Sequence, residues 1–159
     1  MTRQRGRCAR GARLIAKVPH GHWKTTTLIG ALAIDGVRCS TVLDGPINAE
    51  IFTAFIDQVL CPSLRPGDIV VMDNLSSHKG ARVRELIGAA GAELMYLPPY
   101  SPDLSPIEPA FSKIKNLLRG LACRTAPALW TSMQPVLDAV TPTDAIHFFQ
   151  HCGYPLRQT

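Results

Sequence analysis

The hexapeptide "DIVVMD", residues 68–73, gives the strongest indication of the fold. It is a short, continuous apolar run that follows Pro66-Gly67 and precedes polar residues, a pattern typical of a strand that is buried on both faces. Its last residue is Asp73. Ligand sites in sheets with parallel strands lie beyond the carboxyl ends of those strands. The hexapeptide therefore predicts a central strand of an α/β domain and a candidate site residue at its end.

The segments around this strand predict alternating strands and helices from their hydrophobic periodicity and turn residues. In chain order they are a hairpin that turns at Asp35-Gly36, a helix from Asn48 to the residue before Pro62, the strand 68–73, a helix that is capped by Ser76 or Ser77 and ends at Gly91, a strand at 92–97, a helix from about Pro106, and two weaker helices near 126–140 and 142–151. This order predicts a mixed sheet flanked by helices, with right-handed crossovers between its parallel strands.

The stretch "LPPYSPDLSPIEP", residues 97–109, links the second parallel strand to the next helix. Its prolines fix their own backbone and push the preceding residues toward extended conformations. Ser105 to Glu108 is a capping-box pattern, in which the Glu108 side chain bonds back to the N–H of Ser105. The same rigid turn would also hold Glu108 over the sheet end that carries Asp73. Two carboxylates without a basic partner repel each other and favour a divalent cation, so both interpretations of Glu108 stay open.

Composition and charge narrow the class of protein. With 46% hydrophobic and 18% charged residues the chain should be globular, and its apolar runs are far shorter than the ~20 residues of a membrane span. The net charge is +5, and the cations are concentrated before the first acid, Asp35. This basic segment suits DNA or RNA, or it is a solvated arm. Its cations are Arg3, Arg5, Arg7, Arg10, Arg13, Lys17 and Lys24.

The five cysteines are scattered and form no C-x-x-C pair, which favours a reduced, cytoplasmic setting. His147, His151 and Cys152 are close enough in sequence to face a metal together, as are His20 and His22. Neither group has a second ligand cluster at zinc spacing, so structural or surface histidines are the expected default.

Two motifs carry a resemblance to a known family. "VVMDNLSSHKG" (70–80) and "LPPYSPDLSPIEPAFSKIK" (97–115) resemble the second and third catalytic segments of the mariner-like DDE transposases, in their bacterial insertion-sequence branch. The 34 residues between Asp73 and Glu108 match the spacing by which that group is recognised. "GALAIDG" (30–36) and "GPINAEIFTAFIDQVL" (45–60) are similar to the hairpin and first helix of the same domain. The likeness covers roughly residues 1–120.

The resemblance implies an RNase H-like fold and metal-dependent cleavage and strand transfer of DNA at transposon ends. Asp73 and Glu108 would be ligands of Mg²⁺ or Mn²⁺, with two ions in a complete site: one activates water or a 3′-hydroxyl, and the other stabilises the leaving oxygen. Asn74 and His78 match the family's D-N-x-x-x-H pattern. His78 would orient a phosphate or a water, or serve the local structure.

The resemblance also implies partners and a location. The partners are transposon-end and target DNA, together with a second copy of the chain or an upstream-encoded transposase segment. The location is the bacterial cytoplasm, in association with the nucleoid. Five cations on the helices after the two motifs would contact phosphates, which position DNA without reading its sequence, or would simply be solvated. They are Lys79, Arg82, Lys113, Lys115 and Arg119.

Two departures from the family pattern matter. Family members usually have Asn at the position of Ser105, and both residues are good helix caps. The family's first catalytic Asp lies on the first, central strand, upstream of the segment that "MTRQRGRCARG" (1–11) resembles, and none of the twelve acids here replaces it convincingly. We therefore expect residues 1–122 to be a catalytic core that lacks its first central strand, with 123–159 as a helical tail of the same domain.

Three functions follow from these expectations. The first is a transposase catalytic domain that, as this chain alone, lacks strand-transfer activity. The second is a catalytically inactive remnant that binds DNA or regulates an intact transposase. The third is another RNase H-like nuclease acting on RNA–DNA hybrids or DNA junctions, against which the 34-residue spacing and the proline-rich turn argue.

Overall fold

The computed structural model describes residues 6–15, 25–75 and 78–155. Within these ranges the strands form two pairs. β1 (Thr26–Ala33) and β2 (Gly36–Asp44) form an antiparallel hairpin, and β3 (Ile69–Met72) and β4 (Glu93–Tyr96) form a parallel pair. Both predicted pairings are confirmed. Instead of one continuous mixed sheet, however, the described residues form two separate two-stranded sheets.

The helices lie close to their predicted positions. They are α1 (Ala49–Phe55), α2 (Ala81–Ala89), α3 (Ile107–Leu121), α4 (Ala126–Thr131), α5 (Met133–Asp138) and α6 (Pro142–His151). α1 begins as predicted, because the Asn48 side chain accepts a hydrogen bond from the Ile51 N–H at 2.8 Å, and it continues into a π-helical turn and a 3₁₀ turn. The predicted start of α2 is wrong: the helix begins at Ala81 after Gly80, and the predicted caps at residues 76 and 77 lie outside the described residues.

The hairpin lies between two apolar clusters. One face of β1 and β2 packs with α1, α2 and the β3–β4 pair around Ile56, Val83 and Ile87, which are fully buried. The opposite face of the hairpin packs against α3 and α5. The hairpin turn also touches this second cluster closely, since a Cβ added at Gly36 would lie 3.0 Å from the Val140 carbonyl oxygen. Helices of the tail therefore cover the side of the hairpin that faces away from β3 and β4.

The β3–β4 pair has one covered and one open face. Val70 and Leu94 point into the first cluster, whereas Ile69, Val71 and Met95 are 57%, 36% and 49% exposed. The prediction that this strand is buried on both faces is therefore wrong for the described residues. Successive side chains of a strand point to opposite faces. An apolar run alone does not say whether both faces have a neighbour.

One ion pair ties the hairpin to the parallel strands. The Arg38 guanidinium of β2 donates to Asp68 Oδ2 at 3.1 Å, and the same oxygen accepts from the Arg65 N–H at 2.9 Å. Asp68 immediately precedes β3, so this contact fixes the start of the strand whose other end carries Asp73.

Two further observations concern membrane-spanning helices and disulfide bonds. No helix in the described part of the chain has the length and apolar character needed to cross a membrane. In the described ranges no disulfide bond joins the cysteines, which are Cys8, Cys39, Cys61, Cys123 and Cys152.

Candidate active site

A cleft of about 370 Å³ opens at the carboxyl ends of β3 and β4. Residues 73–75 line it after β3, residues 97–102 line it after β4, and Ser105 and Glu108 line it from the start of α3. The parallel register brings these ends together, because Met72 pairs with Tyr96 and the Met72 carbonyl accepts from the Leu97 N–H at 2.8 Å. The structure thus brings Asp73 and Glu108 to one cleft.

Asp73 is half exposed, and the contacts of its carboxylate lie on one oxygen. Oδ1 accepts a hydrogen bond from the Leu75 N–H at 3.3 Å, and His78 Nδ1 lies 2.6 Å from the same oxygen. The second carboxylate oxygen is therefore left for the cleft.

His78 is held from two sides beneath the cleft. Its ring stacks on the Phe52 ring of α1, with centroids 4.2 Å apart and an interplanar angle of 25°. Its carbonyl accepts from the Tyr96 hydroxyl at 2.7 Å. Although Nδ1 is buried and close to Asp73, its N–H direction is not aligned for a hydrogen bond with any described residue. Phe52 and Tyr96 gave no signal as site residues in the sequence, because both act by supporting His78 from distant parts of the chain.

The Glu108 carboxylate is free of the predicted capping box. Pro106 takes the N-cap position of α3, and no side chain caps that end of the helix. The reason is that the N–H of Ser105 already donates to the Pro102 carbonyl at 3.1 Å, which closes the 3₁₀ turn before the helix. The capping-box interpretation is therefore wrong. In the described part of the chain the exposed Glu108 side chain has no hydrogen bond or ion pair, so its carboxylate oxygens are available to a ligand in the cleft.

Tyr100 stands at the rim of the cleft with a fully exposed side chain. Its φ is +58°, in the left-handed region that bulky residues rarely adopt. Tyr100 is not among the site residues predicted from the sequence, because the residue type gives no indication of such a backbone. The surrounding Pro-Tyr-Ser-Pro turn is the one local signal.

The C-terminal segment supports the turn that carries Glu108. The Tyr154 hydroxyl donates to the Leu104 carbonyl at 2.9 Å, fifty positions away along the chain. The Tyr154 ring also meets Phe149 of α6 edge-on, with centroids 5.5 Å apart, and burial raises the pKa of the Tyr154 hydroxyl. The tail beyond residue 122 thus contacts the last turn before the helix of Glu108.

A family model described as DDE superfamily endonuclease matches residues 1–129. The chain belongs to this family. Two solved structures are similar to this family member over 95% of its length: the Mos1 strand transfer complex, at 18% identity and a TM-score of 0.75, and the Mos1 mariner paired-end complex with Mn, at 20% identity and a TM-score of 0.73. They confirm the predicted RNase H-like α/β fold. Comparison with curated proteins gave no match.

The match covers only part of those relatives. This family member spans 47% and 48% of the two Mos1 chains, about half of their length. Asp73 and Glu108 both lie inside the matched family region of residues 1–129.

The five cations predicted to contact phosphates lie outside the cleft lining. Lys79 and Lys115 are exposed. Arg82 and Arg119 each contact a residue three positions away on the same helix, at 3.3 and 3.2 Å. These surroundings leave their DNA contacts as predictions.

The fifth cation, Lys113, has a partner inside the domain. Its ammonium contacts Asp144 Oδ2 of α6 at 2.5 Å, and both side chains are partly buried. The hydrogen bond from Lys113, with further bonds from the Thr141 hydroxyl and N–H, holds the pKa of Asp144 far below its usual range. Lys113 therefore links α3 to α6, and its predicted phosphate contact would compete with this pair.

Other metal-binding groups are absent from the described ranges. No three His, Cys, Asp or Glu side chains there are close enough to hold an ion together, which includes His147, His151 and Cys152. His20 and His22 lie outside the described residues. At the cleft, the carboxylates that the described part of the chain offers are Asp73 and Glu108.

Proposed function

We propose that this chain is the catalytic domain of a DNA transposase, in which Asp73 and Glu108 hold a divalent cation for cleavage and strand transfer at transposon ends. The observation that carries this proposal is the pair of carboxylates that line one cleft at the carboxyl ends of two parallel strands. Neither carboxylate has a Lys or Arg partner in the described part of the chain. Membership of the DDE endonuclease family supports the reaction class.

The site fits Mg²⁺ or Mn²⁺, because both side chains offer oxygen ligands and the cleft leaves room for water and phosphate oxygens. Held by Asp73 and Glu108, the metal, two ions in a complete site, would supply Lewis-acid activation of the attacking oxygen and charge stabilisation of the leaving oxygen at a DNA phosphodiester. Mos1 complexes solved with Mn and with Mg are consistent with this choice of ion.

The residues of the chain set the geometry for that chemistry. The Leu75 N–H fixes one oxygen of Asp73, so that the other faces the cleft. The proline-rich turn would hold Glu108 at the cleft, which its residues also line. Asn74 also lines the cleft, and its amide would bond a phosphate oxygen there. DNA would approach over the exposed cations Lys79 and Lys115, with a further contribution from Arg82, Lys113 and Arg119.

The proposal includes a further carboxylate from outside the described residues. In those residues, β1 pairs with β2 alone and β3 with β4 alone, so each pair has an edge on which another strand can add. A strand between β1 and β3 would join the two sheets and bring an acid to the cleft, from an upstream-encoded segment or a second copy. We expect the 159-residue chain by itself to show no strand transfer. We further propose that the protein acts in the bacterial cytoplasm, near the nucleoid.

A second function is a catalytically inactive regulator that binds DNA and pairs with an intact transposase. The observation that favours it is that no three His, Cys, Asp or Glu side chains in the described ranges are arranged to hold a metal ion together. This regulator would use the same exposed cations but would not need a metal.

The two functions are separated by a metal titration and a DNA titration of the same variants. For the transposase domain, Mn²⁺ binds the wild-type chain, and Asp73→Ala or Glu108→Ala removes that binding with little change in affinity for a duplex oligonucleotide. Asp138→Ala, an acid of α5 away from the cleft, is the matched control and keeps Mn²⁺ binding. Duplex binding without any Mn²⁺ binding that depends on Asp73 would contradict the proposal and favour the regulator.

A further inference from the structure

We infer that His78 is a positioning residue for Asp73: its buried ring nitrogen holds one carboxylate oxygen so that the other faces the cleft. The inference rests on the proposed function, in which Asp73 is a metal ligand. His78 would therefore contact Asp73 instead of a phosphate or a water.

His78 approaches the Asp73 oxygen that is already hydrogen-bonded. Nδ1 lies 2.6 Å from Asp73 Oδ1, the oxygen that also accepts from the Leu75 N–H. A carboxylate that is held through one oxygen keeps the second in a fixed direction. Groups that hold metal ligands in this way set ligand orientation and raise metal affinity.

The ring nitrogen Nδ1 of His78 is buried. The His78 side chain is 19% exposed, and Nδ1 has no aligned acceptor among the described residues. A buried polar atom without a partner is costly, and natural proteins rarely keep one without a reason. Asp73 Oδ1, 2.6 Å away, is an acceptor within reach, and its side chain is half exposed.

Phe52 and Tyr96 hold the His78 ring and backbone in place. Phe52, which is 5% exposed, covers one face of the imidazole. The Tyr96 hydroxyl and the His78 N–H, which donates to the Leu75 carbonyl at 3.0 Å, fix the backbone. Tyr96 is the last residue of β4 and pairs with Met72, directly before Asp73. The support for the ring thus comes from α1, through Phe52, and from the end of β4 at the cleft, through Tyr96.

Three variants of the full chain separate positioning from a purely structural role. His78→Phe keeps a ring on Phe52 and loses the nitrogen, and His78→Asn keeps a nitrogen near the Nδ1 position and loses the ring. We expect His78→Phe to weaken Mn²⁺ binding about 10-fold, with His78→Asn between it and wild type. Thermal stability should follow a different order, because His78→Phe keeps a ring stacked on Phe52 whereas His78→Asn loses that stack. His147→Phe, on the exposed side of α6, is the matched control.

A purely structural His78 predicts that Mn²⁺ affinity and thermal stability fall together. The inference is overturned if His78→Phe binds Mn²⁺ like wild type, or if both quantities follow one order across the variants. A double substitution adds a second test: in an Asp73→Asn background, His78→Phe should weaken residual Mn²⁺ binding no further. Additive losses would count against positioning through Asp73.

A readout without metal keeps this inference separate from the proposed function. At one fixed pH, ¹⁵N-edited NMR of the imidazole should show a hydrogen on Nδ1 of His78 that exchanges slowly, and Asp73→Ala should accelerate its exchange. If the wild-type chain binds no Mn²⁺ but this signal depends on Asp73, the proposed metal site fails and the positioning contact stands. If the exchange rate of this hydrogen is the same in Asp73→Ala as in wild type, the contact itself is overturned.

Discussion

Two helices of this chain begin with the same kind of tetrapeptide, and the chain uses the two acids differently. α6 begins at Thr141-Pro-Thr-Asp144, where the Thr141 side chain accepts from the Asp144 N–H and Asp144 accepts from the Thr141 N–H at 2.9 Å. α3 begins at Ser105-Pro-Ile-Glu108, where no such box forms. The acid of α6 is fully engaged in the protein, whereas the acid of α3 faces the cleft.

The preceding turn explains the difference. The N–H of Ser105 is already bonded to Pro102, so Glu108 has no donor to reach back to. The N–H of Thr141 has no such competitor in the described part of the chain, and it bonds Asp144. A capping pattern thus predicts a box only if the first N–H is available. In α3 the proline-rich turn takes that N–H and leaves the Glu108 carboxylate without a partner in the described residues.

Replacing Glu108 and Asp144 by the corresponding amides should give the largest difference between the two helices. We expect Glu108→Gln to weaken Mn²⁺ binding at least about 10-fold, because it removes a charged ligand, and to leave the free energy of unfolding within about 0.5 kcal/mol of wild type. Asp144→Asn should do the reverse, keeping Mn²⁺ affinity and lowering stability. Electron paramagnetic resonance of free Mn²⁺ and urea unfolding measure the two quantities. Equal behaviour of both variants would remove the distinction between the two helices.

Lowering the pH should weaken the α6 arrangement next. Because the pKa of Asp144 is lowered in the folded chain, its stabilising effect is present above the pKa of an unfolded Asp, about 3.9. It is lost as the pH falls below that value toward the lowered one. The stability difference between wild type and Asp144→Asn, measured by urea unfolding, should therefore shrink between about pH 6 and about pH 3. A difference that stays constant would show that the carboxylate charge does not stabilise α6.

Removing only the cap should have a smaller effect, and only in α6. Thr141→Ala deletes the hydroxyl that accepts from the Asp144 N–H, and we expect it to lower the free energy of unfolding by about 1 kcal/mol. Ser105→Ala is the matched control and should change it by less than about 0.5 kcal/mol. Urea unfolding of both variants tests the pair. A comparable loss in Ser105→Ala would mean that α3 is capped after all.

The smallest expected effect concerns the link between the two helices. Tyr154→Phe removes the hydrogen bond to Leu104 and should lower stability by about 0.5 kcal/mol. Amide hydrogen exchange should then speed up at residues 104 and 105, just before α3, while the amides of α2 serve as the internal reference. Unchanged exchange there would show that the tail does not steady the turn that carries Glu108.

The sequence predicted what depends on local pattern. The hairpin, the parallel strands and α3 follow from alternation, turn residues and the spacing of apolar side chains. The meeting of Asp73 and Glu108 followed from the rule that parallel strands present their carboxyl ends at one edge.

The predictions that failed have different causes. The missing capping box has a local cause, because the N–H of Ser105 bonds the Pro102 carbonyl three residues earlier. The open face of β3 depends on which elements from distant parts of the chain cover it. The stack of His78 on Phe52 joins residues from separate elements. No local pattern in the sequence encodes such contacts.

The central claim is that Asp73 and Glu108 form one divalent-metal site, and a crystal of the chain soaked in MnCl₂ tests it most directly. Anomalous scattering from manganese locates the ion without reference to activity. We predict a peak in the cleft with a carboxylate oxygen of each residue within about 2.5 Å. A cleft without a peak at saturating Mn²⁺, with the ion bound instead near His147, His151 and Cys152, would contradict the account.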